Sequence, residues 1–159
     1  MVNKITLNIP APDFELTDTS QQTIRLSDYQ GKKLIVLVLN RGFVWPYCRK
    51  HLEQLRQDYA EFQARNAEIL AIGPDGPNAF KRHWEANQIP FIGMADIKSK
   101  VADRYCQEVN ILKFGRMPAM FIIDLHGIIR YSHYGNSMSD IPSNLEILGL
   151  LDELNKENG

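Results

Sequence analysis

The order of apolar runs predicts an α/β fold, with a mixed central sheet flanked by helices and an N-terminal β-hairpin extension. Three observations carry this. Leu34–Leu39 is apolar at every position, as a central strand covered on both faces must be. That run and a second one, Glu68–Gly73, are each followed by a helical segment, the order that builds parallel crossovers. The chain then closes with two β-rich runs around a tight turn and a last amphipathic helix, which adds antiparallel strands and makes the sheet mixed.

Taken in order, Phe14–Thr17 and Thr23–Leu26 flank the polar turn Asp18–Gln22 and read as a small hairpin. After Gly31 comes the strand Leu34–Leu39, and then the glycine-containing loop Asn40-Arg41-Gly42. Pro46 is suited to the first position of a helix, where its missing N–H costs nothing. From there Cys48, Leu52, Leu55, Tyr59 and Phe62 recur at helical spacing, so one helix is expected from Pro46 to near Asn66. The strand Glu68–Gly73 and the helix Pro77–Asn87 follow, with Phe80 and Trp84 four apart as packing residues. Val101–Cys106 reads as a short helix. Met120–Asp124 and Ile128–Tyr131 around Leu125-His126-Gly127 form the hairpin, Pro118 stands just before it, and Ile141–Asn155 is the covering helix. A βαβ unit followed by ββα is the order of a thioredoxin-like fold.

The chain has 159 residues, 44% hydrophobic and 23% charged, which predicts one domain over residues 1–159. Eighteen basic against nineteen acidic residues leave a net charge of −1, without the cationic surface that nucleic acid requires. The longest apolar run is a strand's length, far short of the roughly 20 residues that span a bilayer, so no membrane partner is expected. Met1–Pro10 alternates apolar and polar residues where a signal peptide would be continuously apolar, and a cytoplasmic location is expected. Two cysteines, Cys48 and Cys106, cannot make a disulfide scaffold, so their function must be local and chemical. His51, His83, His126 and His133 show no zinc-like spacing, and neither metal nor cofactor is expected.

Ala11-Pro12-Asp13-Phe14, Leu26-Ser27-Asp28-Tyr29, Ile72-Gly73-Pro74-Asp75 and Pro118-Ala119-Met120-Phe121-Ile122-Ile123-Asp124 stand in a telling order. Together they resemble the peroxiredoxin-like alkyl hydroperoxide reductase and thiol-specific antioxidant family over nearly the whole chain. The resemblance implies a peroxide or protein-thiol substrate, a thioredoxin- or glutaredoxin-type reductant, and a homodimer. It places the chemistry at the strand-to-helix turn, here Arg41-Gly42-Phe43-Val44-Trp45-Pro46-Tyr47-Cys48.

At that turn the sequence departs from the family. Aligned on the Phe-Val-Cys-Pro wording or on the Cys-Pro-Tyr-Cys wording, Trp45 occupies the position of the nucleophilic cysteine. The family's threonine three residues earlier is Gly42, and its proline seven residues earlier is Val38. An indole neither ionises nor attacks a peroxide bond, so ordinary peroxidase chemistry is expected to be impaired. Tryptophan's codon is one base from both cysteine codons and from the codon that can specify selenocysteine.

Cys48 therefore inherits whatever thiol chemistry remains. The helix dipole lowers its pKa while its inward stripe raises it, leaving either a residual redox thiol or a small apolar core residue. Cys106 reads as structural, and a Cys48–Cys106 disulfide stays open. His51 either assists the thiol or is a solvated residue on the helix flank. Arg41 is a candidate to stabilise negative charge at the turn. The resemblance suggests a cis bond at Pro118, facing the turn. The alternative function is a redox-silent thioredoxin-fold binding protein that uses a surface of Trp45, Tyr47 and Pro118, with Trp45 as an exposed aromatic.

Overall fold

The computed structural model describes residues 4–110, 112 and 115–158. Its elements are β1 (Glu15–Thr17), β2 (Thr23–Arg25), a 3-10 turn (Leu26–Tyr29), β3 (Leu34–Leu39), α1 (Pro46–Gln57), α2 (Tyr59–Ala64) and β4 (Ala67–Gly73). Then follow α3 (Pro77–Ala86), β5 (Ile92–Ala95), α4 (Lys100–Arg104), β6 (Val109–Asn110), β7 (Gly115–Arg116), β8 (Ala119–Ile123), β9 (Ile129–Tyr134) and α5 (Asn144–Asn158). The main sheet has the order β5-β4-β3-β8-β9. β3 pairs with β4 in parallel, Leu37 opposite Leu70, and with β8 antiparallel, Leu37 opposite Phe121. The fold class read from the sequence is the one observed.

All six residues of β3 are buried. Its alternation sends Leu34, Val36 and Val38 into a core with Leu52, Leu55, Phe62, Trp84 and Ile147, under α1, α2, α3 and α5. Ile35, Leu37 and Leu39 face a second core with Phe14, Leu26, Val101 and Tyr105, under α4 and the N-terminal hairpin. Both faces of the central strand are covered, which is why its sequence carries no polar alternation.

Three elements differ from expectation. The single helix from Pro46 is broken at Asp58, which has φ −101° and ψ 10°. There the Asn144 amide from α5 donates to the Gln54 carbonyl and to Asp58 Oδ2, each at 2.9 Å, beside the Asp58 N–H that still reaches the Gln54 carbonyl at 3.2 Å. The inward stripe continues across the break, with Phe62 fully buried. α5 begins at Asn144 rather than Ile141: Ser143 Oγ accepts the Glu146 N–H at 3.2 Å, a Ser-x-x-Glu cap that starts the helix. β5 carried no clear strand signal, because Ile92-Gly93-Met94-Ala95 contains a glycine. That glycine is required, since a Cβ at Gly93 would collide with the Trp84 ring.

Among the described residues no helix is long and apolar enough to cross a membrane. Phe80 and Trp84 are buried as expected, and His126 is exposed in its turn. The Met117–Pro118 bond is trans, which corrects the cis bond that the resemblance suggested.

Candidate active site

The site forms where β3 ends and α1 begins. Gly42 has φ +127°, a region that L side chains rarely adopt, and a Cβ there would lie 3.3 Å from Asp75 Oδ2. The next N–H, of Phe43, donates to that same oxygen at 3.0 Å. The Phe43 ring stacks on His83 at 4.3 Å and meets Phe80 edge-on at 4.7 Å. The loop is thus pinned to the β4–α3 segment by one charge-assisted bond and an aromatic cluster. Trp45 takes the N-cap position in extended geometry (φ −91°, ψ 120°), and its carbonyl receives the N–H groups of Cys48 and Arg49 at 3.1 and 3.2 Å. Pro46 is the first helical residue, as its ring predicts.

Cys48 lies on the inner face of that first turn, 1% exposed, and its Sγ receives the Arg41 N–H at 3.3 Å. Burial pushes the thiol up. The N–H groups of Arg41 and Gly42 and the Arg41 guanidinium pull it down, and Asp75 adds a smaller upward push. The net direction is up, so the resting thiol is more weakly acidic than an exposed one. Arg41 is itself buried, its guanidinium stacked 4.0 Å over the Trp45 ring and its Nε donating to the Arg116 carbonyl at 2.5 Å.

Arg41, Trp45 and Cys48 therefore come together as the sequence suggested. Trp45 is half-buried against Arg41, which corrects its reading as an exposed aromatic. Tyr47 and Val44 are exposed on the turn, 48% and 75% accessible, as is Pro46 between them. Pro118 is buried and cannot share a surface with them. It lines a cavity of about 10 Å³ behind the thiol, where the Gly135 N–H donates to its carbonyl at 2.8 Å.

Asn40, Cys48, His51, Met120, His133 and Asp140 also line that cavity. His51 is 5% exposed, which corrects its reading as a solvated flank residue. Burial lowers its pKa to about 4, so the imidazole is neutral at pH 7. His133 Nε2 and Asp140 Oδ1 lie 2.9 Å apart. The Asn136 N–H and His133 hold the Asp140 carboxyl below its usual range. The Cys48 and His51 pairing was legible as a one-turn spacing on α1. Asn40, Asp75, His133 and Asp140 were not, because they arrive from other strands and loops with no local motif.

Both cysteines are free, so the Cys48–Cys106 disulfide is not formed. Cys106 follows α4 in left-handed backbone, φ +58°. Among the described residues no group of His, Cys, Asp and Glu could hold a metal ion. A surface concavity of about 550 Å³ between the N-terminal hairpin, α3 and β5 is lined by no thiol or imidazole.

A sequence model of the AhpC/TSA family matches residues 7–132. The chain is 26% identical over 145 residues to the chloroplastic peroxiredoxin Q of Populus jackii, covering 90% of this chain and 66% of that protein. It is 27% identical over 95 residues to peroxiredoxin Bcp of Bacillus subtilis, covering 60% of each. The thiol-disulfide oxidoreductase ResA of Geobacillus kaustophilus is 30% identical over 139 residues, covering 86% of this chain and 74% of that protein. The chain thus spans about three fifths to two thirds of the length of these two peroxiredoxins. In structure it resembles the peroxidoxin BcpB of Mycobacterium tuberculosis, with a TM-score of 0.83 at 20% identity, covering 94% of this chain and 98% of that one. A thiol-bearing turn on a thioredoxin-like sheet, and a family match over most of its length, make this chain a peroxiredoxin-like member of the AhpC/TSA family.

Proposed function

We propose that the chain is a thiol oxidoreductase of this family that lacks the peroxide-attacking step at position 45 and keeps Cys48 as its redox thiol. The observation that carries the reading is the Cys48 sulfur in the first turn of α1, bonded by the Arg41 N–H and close to a buried guanidinium. Burial holds this thiol up, and the Arg41 and Gly42 N–H groups with the Arg41 guanidinium favour its thiolate against that burial. The substrate class is a peroxide or a protein thiol, with a dithiol reductant of thioredoxin or glutaredoxin type. The thioredoxin-dependent peroxide reductase of Drosophila melanogaster, 28% identical over 144 residues, supports that pairing by its name. A homodimer belongs to the same reading.

One observation favours the redox-silent binding protein: Cys48 is 1% exposed while Val44 and Tyr47 stand out from the turn. Its surface would be Val44, Trp45 and Tyr47, without Pro118. Dithiol-coupled peroxide and insulin reduction separate the two. The redox reading expects low but measurable turnover that Cys48→Ser abolishes and Cys106→Ser retains. Equal activity in the parent and Cys48→Ser contradicts it.

A further inference from the structure

The cavity behind Cys48 brings together buried polar atoms that the fold leaves unsatisfied. Among the described residues His51 Nε2 has no hydrogen-bond partner, and neither does either polar atom of the Asn40 amide. Both residues line the cavity beside Cys48, and its volume of about 10 Å³ is close to that of one water molecule. Asn40 sits on the face of the sheet that α1 covers, its amide laid over Gly73, where a Cβ would collide with it. Buried groups of this kind are costly unless bonded, and a water site needs two to four polar partners. Two such partners line this cavity: the neutral His51 imidazole, whose Nε2 accepts when Nδ1 carries the proton, and the Cys48 sulfur, while the Asn40 amide is laid over Gly73 on the neighbouring strand.

We infer that this cavity is a site for one water molecule that donates to His51 Nε2 and to the Cys48 sulfur. His51 is then a positioning residue: it orients the water so that its second O–H points at sulfur. A hydrogen bond donated to sulfur favours the thiolate over the thiol. When the S–H bond breaks, its electron pair stays on sulfur and the proton leaves to solvent; no electrons are exchanged in the step. The other charged or titratable groups around it are Arg41 and Asp75 from the two loops, His133 from β9 and Asp140 from the β9–α5 segment. None of these is altered by the test.

The inference rests on the reading that Cys48 ionises and reacts. The experiment follows alkylation of Cys48 by iodoacetamide between pH 6 and 12, by intact mass, in a Cys106→Ser background. His51→Leu removes the acceptor, and His51→Met serves if that variant does not fold. The expected result is an upward shift of the reactivity midpoint by about one pH unit, roughly tenfold slower reaction at pH 7, with an unchanged rate at the alkaline plateau. His51→Gln, whose amide oxygen can accept, is expected to keep the parent midpoint. If the parent reacts but the Leu and Met variants keep its midpoint, or lose only the plateau rate as a packing defect would, the water site is wrong and the redox reading stands. If native Cys48 reacts at no pH, the redox reading fails and the inference falls with it.

Discussion

Trp45→Cys is expected to raise peroxide consumption well above the parent's low level. Position 45 is the N-cap of α1, where unsatisfied N–H groups and the helix dipole favour an anion, and the Arg41 guanidinium already lies against the side chain there. Thiols in such places have pKa values of about 3.5–7.5 against about 8.5 unperturbed, so the thiolate fraction at pH 7 rises on the order of tenfold or more. The introduced thiolate attacks one peroxide oxygen, which stays on sulfur as sulfenic acid while the other leaves as water. Cys48, one turn further, then attacks the sulfenic sulfur and expels water, forming a disulfide that an external dithiol reduces. Cys48 is 1% exposed, so that second step requires the first turn of α1 to open. Peroxide loss with excess dithiothreitol, and a two-hydrogen mass decrease without it, are the readouts. A variant that consumes no more peroxide than the parent would place the defect in the pocket as well, at Val38 and Gly42.

The largest stability effect is expected at Trp84, on the other side of the same loop. Trp84 is 5% exposed, donates from Nε1 to the Phe91 carbonyl at 2.7 Å, and packs on Phe80 and Phe91 with ring centroids 5.3 and 5.8 Å away. Truncation of such a residue leaves a cavity and an unpaired carbonyl and costs about 3–5 kcal/mol, a large share of the roughly 5–15 kcal/mol that holds a domain folded. Trp84→Ala is therefore expected to lower the denaturant midpoint sharply with little change in slope. It also acts on the site. Phe43 leans on this cluster, 6.1 Å from Trp84, and anchors the Arg41–Cys48 loop. Alkylation of Cys48 in the folded variant is expected to be faster than in the parent. Unchanged protection of Cys48 would mean that Asp75 alone pins the loop.

The sheet was legible because β3 states its own environment: six buried apolar residues admit one place in a covered sheet. β5 was not, because its Gly93 is set by the Trp84 ring from another element, and local propensity cannot see that. The break at Asp58 was equally hidden, and the side chain that bonds there, Asn144, comes from far along the chain. At the site, Trp45, Cys48 and Arg41 were readable as one motif on one turn. The burial of His51 and Pro118 was not, because both depend on how α1 sits over β3 and β8 and on the segment after β9 that closes the cavity.

The central claim is that Cys48 is a thiol the fold equips for redox chemistry rather than a core residue. It is tested most directly by treating native Cys106→Ser protein with hydrogen peroxide in the presence of a dione that traps sulfenic acid, followed by peptide mass mapping. The account predicts the adduct on Cys48 under native conditions, with formation accelerating as pH rises because burial holds the thiol protonated at neutral pH. An unmodified Cys48 that reacts only after unfolding would contradict it and leave the redox-silent binding protein.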